Sequence, residues 1–189
     1  MKKILIAGIG NIFHGDDAFG CEVIRQFKPG GLPEGVTVMD FGIRSYDLAY
    51  ALTNGFDAVI LVDAASRGQP PGTVYLIKPD VKRLDELGRS AVDPHAMDPV
   101  AVIRMAQSLG GMKAKLYLVG CEPAVLENDQ GEIALSVPAQ EAVPQAIHMI
   151  ESLLKELLEF EWQVECQPEA GVKGNYEYHT YHPQSSEPS

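Results

Sequence analysis

The segment Lys3-Ile-Leu-Ile-Ala-Gly-Ile9 is an almost uninterrupted apolar run near the start of the chain, and Gly10 and Asn11 follow it. A run of this kind is typical of a β-strand that is buried on both faces. A helix is predicted from about Asp17, because apolar residues then recur on one helical face: Phe19, Val23, Ile24 and Phe27. Strand, glycine turn and amphipathic helix predict the beginning of a parallel α/β unit.

Four further apolar segments predict the remaining strands, at residues 36–41, 56–62, 73–77 and 115–119. The segment 73–77 follows a Pro-Pro-Gly turn and is a candidate antiparallel edge. Further helices are predicted at 45–52, 99–109 and 138–160, with Pro144 kinking the last one or marking its effective start. The order of elements predicts an α/β three-layer sandwich: a twisted, mostly parallel five-stranded sheet flanked by helices, with flavodoxin-like or related strand order.

Length and charge limit the domain count and the partners. With 189 residues the chain suits one domain, and we assign it to residues 1–162. A formal net charge of −11 disfavours binding to nucleic acid or to an anionic membrane surface. The three cysteines are far apart in sequence, which indicates reduced thiols in a cytoplasmic protein rather than a disulfide framework.

The last part of the chain, residues 163–189, differs from the rest in composition. Glu, Gln, Pro, Gly, Ser and Tyr dominate, and apolar periodicity is lost. This composition predicts a disordered acidic tail. His179 and His182 within it could bind metal adventitiously.

Three polar residues that follow predicted strands are the strongest candidates for a site: Asp17, Asp63 and His95. The carboxyl ends of strands in a parallel sheet open onto one crevice, so these side chains should converge. Two carboxylates and one imidazole would form an incomplete metal site. Each residue alone is weak evidence, since aspartates at strand ends are common in turns and single histidines are usually structural.

Neighbouring residues give secondary candidates. Of the adjacent Asp16 and Asp17, one is explained by capping the helix N-terminus, and the second is then the better ligand. Asp40 and Asn11 are further secondary candidates at the same edge. A dinucleotide fingerprint is disfavoured, because Phe13 occupies its sixth position and two carboxylates would repel a pyrophosphate.

Four blocks in this order resemble the nickel–iron hydrogenase maturation endopeptidases: residues 8–20, 61–64, 94–95 and 120–123. The resemblance implies removal of a short C-terminal extension from the hydrogenase large-subunit precursor after nickel insertion. It also implies that Asp17, Asp63 and His95 contact nickel carried by the substrate, with no resident cofactor. Asp40-Phe-Gly-Ile-Arg44 departs from the Asp-Gly-Gly-Thr common in that family, which indicates a subgroup with a different cognate hydrogenase.

Two other functions use the same three residues. One is a hydrolase with resident zinc or manganese. The other is a non-enzymatic, nickel-dependent assembly chaperone of the hydrogenase large subunit. For a peptidase, the sequence indicates no serine or cysteine nucleophile, and Cys121 is interpreted as a buried spectator thiol. Substrate nickel could polarise the scissile carbonyl or activate water, and a carboxylate of Asp17 or Asp63 serving as the general base is the alternative.

Overall fold

The structure is a computed structural model that describes residues 1–27, 31–79, 99–124 and 134–159. Its strands are β1 (Ile4–Ile9), β2 (Val36–Gly42), β3 (Ala58–Ala64), β4 (Val74–Ile77) and β5 (Lys115–Cys121). Its α-helices are α1 (Phe19–Gln26), α2 (Ser45–Leu52), α3 (Pro99–Ser108) and α4 (Val137–Glu159), and a short 3-10 helix, Gly15–Ala18, precedes α1.

The strands form one sheet in the order β2-β1-β3-β5-β4. Strands β2, β1, β3 and β5 are parallel, whereas β4 pairs antiparallel with β5 at the edge. The predicted class, a mostly parallel five-stranded α/β sheet, is therefore confirmed. The strand order is related to the flavodoxin-like order but differs from it at one edge. The fourth strand in sequence, β4, is antiparallel and lies outside β5.

Helices cover both faces of the sheet, which explains the continuous apolar run of β1. Ile4 and Ile6 pack in the core under α1 and α4, while Leu5 and Ala7 pack in the core under α2 and α3. All four residues are fully buried, because alternate side chains of a strand point to opposite faces. The first apolar segment is thus the centre of a three-layer sandwich.

Some boundaries differ from those predicted. Asp63 lies within β3, where it pairs with Gly120, and Cys121 is the last residue of β5. Pairing between β3 and β5 therefore continues past the apolar runs that the sequence shows. The helix predicted from about Asp17 begins instead as a 3-10 turn, in which the Asp17 amide donates to the His14 carbonyl, before α1 starts at Phe19.

Pro144 lies inside α4 and does not mark its start, which is at Val137. Proline removes one backbone hydrogen bond, the one to the carbonyl four residues earlier, at the exposed Gln140. The first turns are held by burial instead, since Ala139 and Val143 are buried in the core. Packing therefore outweighs the local helix-breaking effect.

Several predicted features lie outside the described residues, including His95 and the tail 163–189. Within the described ranges, no helix has the length and apolar character needed to cross a bilayer. Cys21 and Cys121 are free and buried.

Candidate functional site

Glycines allow the start of α1 to lie directly on the carboxyl ends of β1 and β3. A Cβ atom on Gly20 would lie 2.1 Å from the Val62 carbonyl oxygen and 2.3 Å from that of Ile9. Gly10 has φ +130°, and a Cβ there would lie 1.7 Å from the Asp17 carbonyl oxygen. Because all these contacts are to backbone atoms, only glycine permits this approach, and the approach brings Asp17 to the edge of the sheet.

The loop between β1 and α1 is closed by hydrogen bonds that fix the Asp17 carboxylate. The Asn11 amide donates to Asp17 Oδ2 at 2.8 Å. The Asn11 side chain in turn accepts from the Phe13 amide at 3.0 Å, and the Asn11 carbonyl accepts from the His14 amide at 3.1 Å. Asn11, a secondary candidate in the sequence, therefore shapes the loop that holds the half-buried Asp17.

Asp40 and Asp63 reach the same edge from the two strands that flank β1. Gly8 of β1 is in register with Asp40 on one side and with Val62, the residue before Asp63, on the other. Asp63 is only 6% exposed, whereas Asp40 is exposed and accepts a hydrogen bond from the Gly42 amide at 2.9 Å. The parallel topology thus places both carboxylates beside the end of β1, as the sequence predicts.

The thiol of Cys21 reports the proximity of these groups. Burial is the largest cause of a raised pKa at Cys21, and together with the charge and hydrogen bond of Asp40 and the charges of Asp17 and Asp63 it brings that pKa to about 12. The thiol lies 3.4 Å from the Gly10 carbonyl oxygen, to which it donates. We call Asp17, Asp40 and Asp63 the carboxylate cluster, because the negative charge of each one raises the pKa of this same thiol.

Neither described cysteine provides a nucleophile. With a pKa of about 12, Cys21 is protonated near neutral pH. Burial, together with the charges of Asp16 and Glu122, also raises the pKa of Cys121 to about 12. The thiolate is the reactive form of cysteine, so both side chains behave as small buried apolar groups.

Asp16 differs from Asp17 in being almost fully buried, with 1% exposure. Its carboxylate accepts hydrogen bonds from the Ala124 amide at 2.7 Å and from the amide and hydroxyl of Ser136 at 2.7 and 2.8 Å. These donors come from the segment after β5 and the residue before α4. Asp16 therefore forms a cross-link between distant segments. The N-cap residues of the 3-10 helix and of α1 are His14 and Ala18, and neither makes a side-chain capping hydrogen bond.

Glu122 is a buried carboxylate beside the site that sequence reasoning did not single out. It is 3% exposed and accepts hydrogen bonds from the Ser66 hydroxyl and from the Arg67 and Gly68 amides, at 3.1, 2.7 and 3.1 Å. Burial alone would raise its pKa, but these hydrogen bonds outweigh it and lower the pKa. Two signals were available in the sequence: Glu122 directly follows an apolar strand, and it belongs to the block 120–123 that contributes to the family resemblance. Glu122 orders the segment that follows β3 and Asp63.

The structure thus brings together two of the three predicted site residues, Asp17 and Asp63, with Asp40 beside them. His95 lies outside the described residues, so its participation stays a prediction. In the part of the chain that the structure describes, no three histidine, cysteine, aspartate or glutamate side chains are arranged to hold a metal ion. His14, which lies in the loop after β1, is exposed to solvent.

A cavity of about 770 Å³ opens beside the carboxylate cluster. It lies between α1 and the beginning of α4, and its lining includes Cys21, Arg25, Asp40, Leu135 and Val143. Of the carboxylate cluster, Asp40 lines this cleft, whereas Asp17 and Asp63 are not among its lining residues. The cleft has mixed polar and apolar character, as expected of a site that binds a ligand or a segment of another chain.

Known proteins resemble this chain in sequence. The family model described as hydrogenase maturation protease (HycI) matches residues 21–153. The hydrogenase expression/formation protein HupD of Rhizobium leguminosarum bv. viciae is 31% identical over 155 residues, 81% of this chain and 74% of HupD.

Solved structures agree with the sequence comparison. Hydrogenase maturating endopeptidase HybD from Escherichia coli has a TM-score of 0.68 and 26% identity, covering 82% of this chain and 93% of HybD. The [NiFe] hydrogenase maturation protease HycI from Thermococcus kodakarensis KOD1 has a TM-score of 0.62 and 27% identity, covering 82% of this chain and 93% of that one. The resemblance drawn from the motifs is confirmed: the chain belongs to the hydrogenase maturation protease family and is an endopeptidase.

Proposed function

We propose that this endopeptidase removes the C-terminal extension of a nickel-loaded [NiFe]-hydrogenase large-subunit precursor. One observation carries the proposal: Asp17 and Asp63, from separate segments of the chain, lie at one edge of the sheet, where both act on the Cys21 thiol. In this architecture the carboxyl ends of the parallel strands are the expected position of a reactive site, and the two carboxylates lie there.

In this proposal nickel belongs to the substrate and serves for recognition. Asp17 and Asp63, joined by His95, supply an incomplete ligand set with open coordination positions. A nickel ion already held by cysteines of the precursor would complete its coordination by binding these three side chains of the enzyme. The enzyme would then bind a precursor that carries nickel more tightly than one that lacks it, and it would need no resident metal.

Peptide hydrolysis at this site uses water as the nucleophile, since both described thiols are protonated near neutral pH. Water adds to the scissile carbonyl carbon, the carbon–nitrogen bond breaks, and the leaving amine receives a proton. The half-buried Asp17 or the buried Asp63 accepts the proton that water loses. The Asn11 amide holds Asp17 in place for this role.

The experiment compares two aspartate variants and one control variant with wild type, on precursor made with and without nickel. Asp17→Asn and Asp63→Asn remove the charges of the two proposed ligands, and Glu156→Gln removes an exposed charge on α4 as a control. We expect wild type and Glu156→Gln to cut only the nickel-loaded precursor, and both aspartate variants to lose at least about a hundredfold in rate.

Mass spectrometry of the precursor gives the cleaved bond directly, and circular dichroism verifies that the variants are folded. Equal cutting of nickel-free precursor by wild type would contradict the recognition role of nickel. Normal cutting by Asp17→Asn or Asp63→Asn would remove that residue from the site.

A further inference from the structure

Four large apolar side chains at the carboxyl edge of the sheet are exposed: Ile12 at 49%, Phe13 at 63%, Ile43 at 58% and Tyr46 at 77%. Ile12 and Phe13 belong to the loop after β1, and Ile43 and Tyr46 to the loop after β2 and the first turn of α2. We call this group the apolar rim. Single exposed apolar residues are common, but a group on two neighbouring loops indicates an interaction surface.

Backbone hydrogen bonds hold these two loops next to each other. The Gly10 amide donates to the Gly42 carbonyl at 3.2 Å and so joins the two loops, while the Arg44 amide donates to the Phe41 carbonyl at 2.9 Å and closes the second loop on itself. The bonds of Asn11 close the first loop. A surface fixed in this way loses little conformational freedom on binding, which favours affinity.

The apolar rim is continuous with the carboxylate cluster. The residue before Ile12 donates its amide to Asp17, and the residue before Ile43 donates its amide to Asp40. A protein whose peptide bond reaches Asp17 therefore passes close to the two loops that carry the apolar rim.

We propose that the apolar rim is the docking surface for the folded part of the hydrogenase precursor, and that it binds an apolar patch next to the cleavage site. This inference rests on the proposed function. A second copy of the chain, or its own C-terminal residues, would cover the carboxylate cluster if seated there and would block the substrate. The protein substrate is the occupant that agrees with an active peptidase.

The test uses the double variant Phe13→Ser, Ile43→Ser and the control Leu109→Ser. Leu109 follows α3 at the opposite edge of the sheet and is 57% exposed, nearly the same as Ile43. We expect the double variant to raise KM for nickel-loaded precursor about tenfold or more, with kcat within about twofold, because buried apolar anchors dominate docking energy. Leu109→Ser should match wild type in both constants.

Other outcomes identify which proposal is wrong. If wild type cuts the precursor and the double variant has the KM of Leu109→Ser, the docking proposal fails while the proposed function stands. A loss in kcat alone would also overturn docking, as would a wild-type dimer in size-exclusion chromatography that the double variant dissociates with KM unchanged. If wild type does not cut the precursor, the proposed function fails and the docking proposal with it. Thermal unfolding of both variants verifies the fold.

Discussion

Asp16 and Asp17 are adjacent in sequence but have different surroundings. Asp16 is buried among donors from Ala124 and Ser136, whereas Asp17 is half-buried and faces the edge of the sheet. The sequence predicts that one of them is structural and the other belongs to the site. It could not show the donors of Asp16, because these lie more than a hundred residues away and meet it only in the folded chain.

Asp16→Asn should lower the free energy of unfolding by about 2–3 kcal/mol. The amide keeps one acceptor oxygen, but its NH₂ group faces the amides and hydroxyl that donate to Asp16 in the native protein. Asp17→Asn should cost less than about 1 kcal/mol, since Asn can still accept from the Asn11 amide. Urea unfolding at pH 7 measures both, and equal losses would contradict the division between the two residues.

Elements rather than single residues explain why the site could be predicted in part. The apolar runs located every strand to within about two residues, because strands buried on both faces carry continuous apolar sequence. Their carboxyl ends predicted the position of Asp63 and Asp40. The pairing of Asp63 and Ala64 with β5 could not be predicted, since it depends on register between distant segments.

Glu122 illustrates a role that only the assembled elements show. The last residues of β5 bring it under the segment after β3, where three groups donate to its carboxylate. An isolated glutamate after a strand carries no such information in the sequence. The segment that it holds begins three residues after Asp63. Glu122 therefore helps to order the chain next to the site, although it does not belong to the carboxylate cluster.

The lowered pKa of Glu122 predicts a loss of stability in acid. Its folded-state pKa lies below its unfolded value of about 4.3, so its contribution is present above that pH and is lost as pH falls through the folded pKa. Glu122→Gln should lower the unfolding free energy by about 1–3 kcal/mol at pH 7.

The difference between wild type and Glu122→Gln should be complete at neutral pH and should shrink as pH falls through the folded-state pKa, which lies below the unfolded value of about 4.3. Urea unfolding across this range measures it, with Glu156→Gln on the exposed side of α4 as the control. A constant difference at all pH values would show that the ionised form of Glu122 is not the stabilising one.

At the scale of the whole molecule, the sheet topology determines which of the predicted site residues lie near each other. Topology brings the two predicted aspartates together, and the sequence predicted this because parallel strands share one carboxyl edge. Cys21 as the common neighbour could not be predicted, since it depends on how closely Gly8 and Gly20 let α1 approach the sheet. The third proposed ligand, His95, lies outside the described residues.

The purified protein should carry well under one equivalent of zinc, manganese or nickel. Two aspartates and a histidine from separate segments leave coordination positions open, so the affinity of the protein alone should be weak. Elemental analysis after dialysis measures this, and dialysis against a chelator should leave processing of nickel-loaded precursor unchanged. One tightly bound metal per chain would instead favour a resident-metal hydrolase.

Deletion of residues 163–189 should leave the rate of processing largely unchanged. The family match ends at residue 153, and the apolar stripe of α4 is complete at Leu157 and Leu158. The deleted residues lack apolar periodicity, so they can bury little surface. The test compares the rates at which full-length and truncated protein process the precursor at limiting enzyme, with the thermal stability of both proteins as the control. A slower truncated protein of unchanged stability would show that these residues recognise the precursor.

The carboxylate of Asp16 also has a topological consequence. By holding Ala124 and Ser136 to one point, it fixes the separation of two positions that are twelve residues apart in the chain. The loop-closure entropy of a flexible segment grows only with the logarithm of its length, about 0.6 kcal/mol per doubling. A flexible glycine-serine insertion that doubles the number of residues between Ala124 and Ser136 should therefore cost about that much in urea unfolding, because both anchor points stay bonded to Asp16.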